Sequence, residues 1–77
     1  MNSVNFLFYQ IERVRDDKSQ VSFYLPEPDM NDLLGYLDEE FIDLAQGYYR
    51  HPELKINIFC RNDGYVLIIL GEKNERI

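Results

Sequence analysis

The 77-residue sequence has only one cysteine and no long apolar run, and each of these shortages excludes a class of protein. A single cysteine cannot form an internal disulfide, so a disulfide-stapled secreted domain is excluded and we expect a reducing, cytoplasmic location. The first four residues hold no Lys or Arg, so we expect no secretory signal there. The longest apolar stretch, residues 65–70, is far shorter than the roughly 20 residues that cross a bilayer, and we expect no membrane association.

Groups that perform catalysis or bind metals are also scarce. Cys60 alternates with Ile56 and Ile58, which predicts a buried and inert thiol, while His51 precedes a proline in a connection between elements. One thiol and one imidazole lack the clustered spacing of a zinc site, and the four glycines stand singly rather than in a phosphate-binding loop. We therefore expect no catalytic residues, no metal and no cofactor, and keep a small carboxylate enzyme as a third hypothesis.

The apolar and acidic residues are what the sequence has in quantity. A hydrophobic content of 45% suits one folded domain, residues 1–77, and the net charge is -6. That charge disfavours direct binding of nucleic acid, because phosphates attract Lys and Arg. The acid is concentrated in residues 19–49, which contain no Lys or Arg. The seven carboxylates of this segment are Glu27, Asp29, Asp32, Asp38, Glu39, Glu40 and Asp43.

The spacing of apolar residues predicts an α+β fold in the order β-β-α-β-β. Strands are expected at about residues 4–14, 20–25, 54–61 and 65–71, a helix at about 29–48, and a charged tail at 72–77. Asp63 and Gly64 suit a type I′ hairpin turn between the last two strands. The result is a four-stranded antiparallel sheet with one amphipathic helix packed on one face, and the strand order stays open.

The helix is predicted as a single long element because apolar residues recur at helical spacing from Met30 to Tyr48. Asp29 suits its N-cap and Gly47 its C-terminal cap. The eight residues of this apolar stripe are Met30, Leu33, Leu34, Leu37, Phe41, Leu44, Ala45 and Tyr48.

One helix covers only one face of a four-stranded sheet, so the second face is expected to be bare. We expect Phe6, Phe8 and Phe59 on that face. Because large apolar patches are uncommon on monomers, self-association through these residues is predicted, with the alternative that twist and long side chains cover the face. A structural or assembly module, acting as a homodimer or as a subunit of a complex, is therefore the second functional hypothesis.

The outer face of the predicted helix supports the first hypothesis. Its charges are Asp32, Glu39, Glu40 and Asp43, with Tyr36 as an aromatic anchor beside them. Like charges at helical spacing reduce helix stability, and an acidic surface with an aromatic centre suits a basic partner. We therefore expect a non-catalytic binding protein that docks on a basic protein surface, with a purely solvated face as the alternative. An inhibitor of a nuclease, of the immunity, antitoxin or phage anti-defence type, would use its carboxylates as phosphate mimics.

Overall fold

The computed structural model describes residues 2–16 and 19–71. These residues form two helices and a five-stranded antiparallel sheet, so the predicted α+β class and antiparallel pairing are confirmed. The elements in chain order are α1 (Ser3–Asp16), β1 (Gln20–Tyr24), α2 (Glu27–Glu40), β2 (Ile42–Asp43), β3 (Tyr48–Arg50), β4 (Ile56–Cys60) and β5 (Tyr65–Leu70). The strands lie in the order β1-β5-β4-β3-β2. The predicted tail, 72–77, lies outside the described residues.

The predicted order β-β-α-β-β is wrong at the first element, because residues 4–14 belong to helix α1. Three apolar residues one helical turn apart are buried in the core: Leu7, Ile11 and Val14. Asn2 caps the helix, since its Oδ1 accepts the backbone amides of Val4 at 3.0 Å and Asn5 at 3.2 Å. Aromatic and branched residues favoured a strand here, but the helical period of the buried residues decides the structure.

The predicted helix over 29–48 begins too late and extends too far. Helix α2 begins at Glu27, and Pro28 is tolerated in its first turn because the amide there needs no intrahelical partner. The helix ends at Glu40, since Phe41 has extended backbone angles of φ -110° and ψ 167°. Asp29 therefore lies inside the first turn instead of at the N-cap.

Residues 42–50 form a β-hairpin where the continuation of the helix was predicted. The loop between β2 and β3 holds Ala45, Gln46 and Gly47 at φ values of 76°, 59° and 86°, all in the left-handed region that a right-handed helix excludes. Successive side chains of a strand point to opposite faces of the sheet, so Tyr49 is buried at 7% exposure while its neighbour Tyr48 is 49% exposed. Gly47 is thus a turn residue and not a helix cap.

The last two strands are close to their predicted bounds, but the turn between them differs. The Arg61 amide donates to the Tyr65 carbonyl at 2.8 Å, and the Gly64 amide donates to the Arg61 carbonyl at 3.1 Å. Within the loop 62–64, Gly64 alone has a positive φ, of 97°. This is the pattern of a three-residue loop with a glycine bulge, and the predicted type I′ turn is wrong.

The hydrophobic core lies between the two helices and one face of the sheet. Strand β5 is an interior strand and pairs with β1 on one side and β4 on the other. Its Val66 and Ile68 are fully buried toward the helices, in ladder positions beside Cys60 and Ile58 of β4. No helix of the described residues has the length and apolar character needed to span a membrane.

Candidate functional site

Four exposed carboxylates of α2 form an acidic surface, defined here as Asp32, Asp38, Glu39 and Glu40. They lie away from the buried stripe of Met30, Leu33 and Leu37. Across the described part of the chain, the ion pairs are Arg15 with Glu12 and Arg61 with Asp63, so no α2 carboxylate is neutralised by one. The negative charge of this surface is therefore available to a partner.

The arrangement of charge along α2 is favourable at its start and unfavourable at its end. Glu27 and Asp29 lie in the first turn, where negative charge suits the helix dipole. The last turn carries the acidic run 38–40 and no basic residue. The helix dipole makes negative charge destabilising there, so the position of Glu39 and Glu40 reduces helix stability.

Asp38 differs from its neighbours because it has a structural partner. Its Oδ1 accepts a hydrogen bond from the Tyr49 hydroxyl at 2.9 Å, which joins the end of α2 to β3. Burial, followed by this hydrogen bond, raises the pKa of Tyr49 to about 12. Asp38 therefore stabilises the fold, whereas Asp32, Glu39 and Glu40 have no side-chain hydrogen bond or ion pair among the described residues.

Tyr36 lies half-buried between the two helices, at the border of the acidic surface. Its ring packs edge-to-face on Phe8 of α1 with centroids 5.6 Å apart, and on Phe41 at 6.3 Å. Burial, then the nearby Glu40 carboxylate, raises the pKa of the Tyr36 phenol. Phe8 is 46% exposed, so the pair Tyr36 and Phe8 presents aromatic surface next to the carboxylates.

Sequence reasoning missed Phe8 as a neighbour of Tyr36 because it placed Phe8 on a sheet. The placement of Phe6 on the bare sheet face is likewise wrong: Phe6 packs edge-to-face on Phe23 at 4.9 Å, on the helix side of the sheet. The helical period of Leu7, Ile11 and Val14 was the signal that could have corrected both placements.

Asp43 does not lie on α2, so its assignment to the helix face is wrong. It belongs to β2, opposite Tyr49 in the ladder with β3. Its Oδ1 accepts the Ala45 amide at 2.7 Å, which supports the left-handed backbone of the hairpin loop. Asp43 is exposed, but a local turn already uses its carboxylate.

The face of the sheet opposite the helices forms a second surface, called here the open sheet face. Its ladder positions alternate with those of the core, and Phe59 lies on it as predicted. Its apolar members are Tyr24, Ile42, Tyr48, Phe59, Tyr65, Leu67 and Ile69. Its polar members are Gln20, Ser22, Arg50 and Asn57.

The groups considered for catalysis have ordinary structural environments. Cys60 is buried, as predicted, and burial raises its pKa to about 12, so the thiol is protonated at neutral pH. His51 Nδ1 accepts the amides of Glu53 at 3.0 Å and Leu54 at 2.9 Å, which fixes the loop that precedes β4. Among the described residues, no group of three His, Cys, Asp or Glu side chains is placed to hold a metal ion.

No protein-family model, no curated protein and no solved structure matches this chain. The functional conclusion therefore depends on the two surfaces described above.

Proposed function

We propose that this chain is a non-catalytic protein-binding module that docks the acidic surface of α2 on a basic protein surface. The observation that carries the proposal is the concentration of exposed carboxylates on α2, none of which forms an ion pair within the described residues. Oppositely charged surfaces accelerate encounter and fix orientation, and a desolvated aromatic anchor then adds affinity.

The charge distribution of α2 supports a binding role over solubility alone. Acidic residues in the last turn of a helix reduce its stability, and a solvated face would serve equally well with lysines interspersed. Asp32, Glu39 and Glu40 nevertheless lie in one segment without any basic residue. Acidic residues that reduce the stability of their own helix are expected where their charge binds a partner.

A protein that binds nucleic acid is the class of partner that fits best. From Asp32 to Glu39 the axial rise of α2 is about 10 Å, close to three steps of one strand of B-DNA. Carboxylates at that spacing would compete for the Lys and Arg side chains that contact phosphates. Tyr36 and Phe8 would occupy the adjacent apolar surface. Inhibition of a nuclease, as by an immunity, antitoxin or anti-defence protein, is the form that this proposal takes.

The test is capture of partners by two variants with the same net charge. The surface variant carries Asp32→Asn, Glu39→Gln and Glu40→Gln, and the control variant carries Glu12→Gln, Asp16→Asn and Glu53→Gln, all outside α2. We expect wild type and the control to capture the same basic protein at low salt and to lose it at high salt, while the surface variant fails at both. Equal capture by the two variants would refute the proposal.

A second candidate function, an assembly module, is favoured by a different observation. The open sheet face is apolar at most of its ladder positions, whereas an antiparallel sheet with one solvated face normally alternates apolar and polar residues. The self-association that this implies is independent of the acidic surface.

A further inference from the structure

We infer that the open sheet face is a homodimer interface, in which the sheets of two copies of this chain pack face to face and the α2 helices point outward. The inference deepens the second candidate function, the assembly module, and does not depend on binding through the acidic surface, because it concerns the opposite face of the molecule.

The composition of the central strands is the first support. On the open sheet face, β5 presents Tyr65, Leu67 and Ile69, and its neighbour β4 presents Phe59 beside Leu67. These apolar and aromatic side chains are only partly buried. The polar ladder positions lie beside this area, at Gln20 and Ser22 of β1, Arg50 of β3 and Asn57 of β4. A contiguous apolar area bordered by polar residues is the anatomy of an interface core and rim.

Aromatic pairs on the face are already ordered. Tyr48 and Phe59 lie with ring centroids 4.6 Å apart, and Tyr24 and Tyr65 with centroids 5.3 Å apart. The Arg61 guanidinium lies 4.6 Å from the Tyr65 ring centroid and is fixed by Asp63. Rings held by their neighbours lose little conformational freedom on association, which favours binding.

The charge distribution identifies a second copy as the occupant. Arg50 is the single charged side chain in the ladder positions of the open sheet face. Two such faces can therefore pack together with little repulsion between like charges. Sheets pack about 10 Å apart and a helix adds about 10 Å on each outer side, so the two acidic surfaces would be roughly 30 Å apart. That separation exceeds the Debye length of about 10 Å at 0.1 M salt, whereas contact through the helices would bring like charges together.

The size of the face sets the expected strength of the dimer. Strands β1, β4 and β5 are five or six residues long and β2 and β3 only two and three, so at about 4.8 Å between strands and about 3.4 Å per residue the face covers roughly 340 Å² in plan. Because protruding side chains make the accessible area larger than the plan area, the two copies together bury on the order of 1,000 Å² of accessible surface. This buried area is at the lower end for specific protein interfaces. The dimer is therefore expected to dissociate in the micromolar range.

The experiment measures molar mass by sedimentation equilibrium from low micromolar to about 500 µM protein. Leu67→Lys places a charge at the centre of the open sheet face, and Ile69→Thr removes apolar area while keeping a β-branched side chain. The matched control is Tyr9→Lys, at a residue of α1 that is 61% exposed on the helix side. Circular dichroism establishes that each variant is folded.

Wild type and Tyr9→Lys are expected to reach the mass of a dimer. The dissociation constant of the dimer should rise at least tenfold in Leu67→Lys and by a smaller, measurable factor in Ile69→Thr. The Asp32→Asn, Glu39→Gln, Glu40→Gln variant is expected to dimerise like wild type, which separates this inference from the proposed function. A wild-type monomer at the highest concentration would overturn the inference, and so would a dimer that Tyr9→Lys disrupts and Leu67→Lys does not. A wild-type monomer that binds a fluorescent single-stranded oligothymidine, with binding changed in Leu67→Lys, would also overturn the inference. It would show that the open sheet face binds nucleic acid instead of a second copy.

Discussion

The Tyr49 hydroxyl donates a hydrogen bond to Asp38 Oδ1 at 2.9 Å and so connects β3 to the last turn of α2. It is a contact between the sheet and the end of the helix that carries the acidic surface. Because α2 also contacts the short strand β2, this bond and that contact together fix the orientation of the helix end.

Tyr49→Phe is expected to reduce the free energy of unfolding by about 1 kcal/mol, because a partly buried hydrogen bond is lost. The neighbouring substitution Tyr48→Phe is the control, since Tyr48 is 49% exposed and its hydroxyl has no hydrogen bond to another described residue. Urea unfolding of the two variants measures the difference. Equal stability of the two variants would show that the contact with Asp38 has no energetic role.

The stability of the protein is expected to fall at alkaline pH because of Tyr49 and Cys60. Burial raises the pKa of Tyr49 from 10.0 to about 12 and that of Cys60 from 9.0 to about 12. The unfolded chain therefore releases these protons first, so their contribution is complete below about pH 9 and is lost as the pH rises toward 12. Urea unfolding from about pH 8 to pH 11 measures this loss, and Tyr49→Phe should reduce its slope at the upper end. A slope that Tyr49→Phe leaves unchanged would contradict the assignment.

Two glycine substitutions are expected to have opposite effects. Gly64 has φ of 97°, and a Cβ there would lie 2.5 Å from the Leu25 carbonyl oxygen, so Gly64→Ala should destabilise by at least about 1–2 kcal/mol. Gly35 lies inside α2 with open space around it, so Gly35→Ala should stabilise by about 0.5–1 kcal/mol. Thermal denaturation of both variants measures the effects. A stabilised Gly64→Ala would disprove the glycine-bulge turn.

Charge reversal along α2 is expected to separate stability from binding. Glu39→Lys places a cation in the last helical turn and should stabilise the protein by about 0.3–1 kcal/mol, while Glu27→Lys in the first turn should destabilise it by a similar amount. Because Glu39 belongs to the acidic surface, its substitution should also weaken partner capture. Unfolding midpoints and capture measured on the same samples test both effects, and a Glu39→Lys variant that is less stable than wild type would contradict the dipole argument.

The elements that could be predicted from sequence are those in which the spacing of apolar residues fits only one type of secondary structure. Strands β1 and β4 alternate clearly, and β5 is one continuous apolar run. Pro26 follows the β1 segment, and the turn 62–64 separates β4 from β5. Helix α1 was missed because Phe6 and Phe8 imitate strand alternation, and this pattern was given more weight than the helical spacing of Leu7, Ile11 and Val14. The end of α2 was missed because Leu44 and Tyr48 satisfy a helical period, although the backbone there is a hairpin.

The candidate site was predictable to the extent that it lies on one helix. Asp32, Glu39 and Glu40 are exposed on α2 as the periodicity implied. The neighbourhood of Tyr36 was not predictable, because Phe8 is brought to it by packing of α1 on α2, a contact between residues far apart in sequence. Patterns within one element do not encode such contacts.

We expect the acidic surface to bind a basic protein through its charge, and the decisive measurement is the salt dependence of that binding. With a partner obtained by capture, the dissociation constant is measured at increasing salt for wild type and for the two charge-matched variants. We expect the Asp32→Asn, Glu39→Gln, Glu40→Gln variant to bind at least tenfold more weakly, a loss of about 1.4 kcal/mol, and with a flatter salt dependence. The Glu12→Gln, Asp16→Asn, Glu53→Gln control should keep the wild-type affinity and slope. Equal dissociation constants and equal salt slopes for all three proteins would show that the acidic surface does not bind the partner.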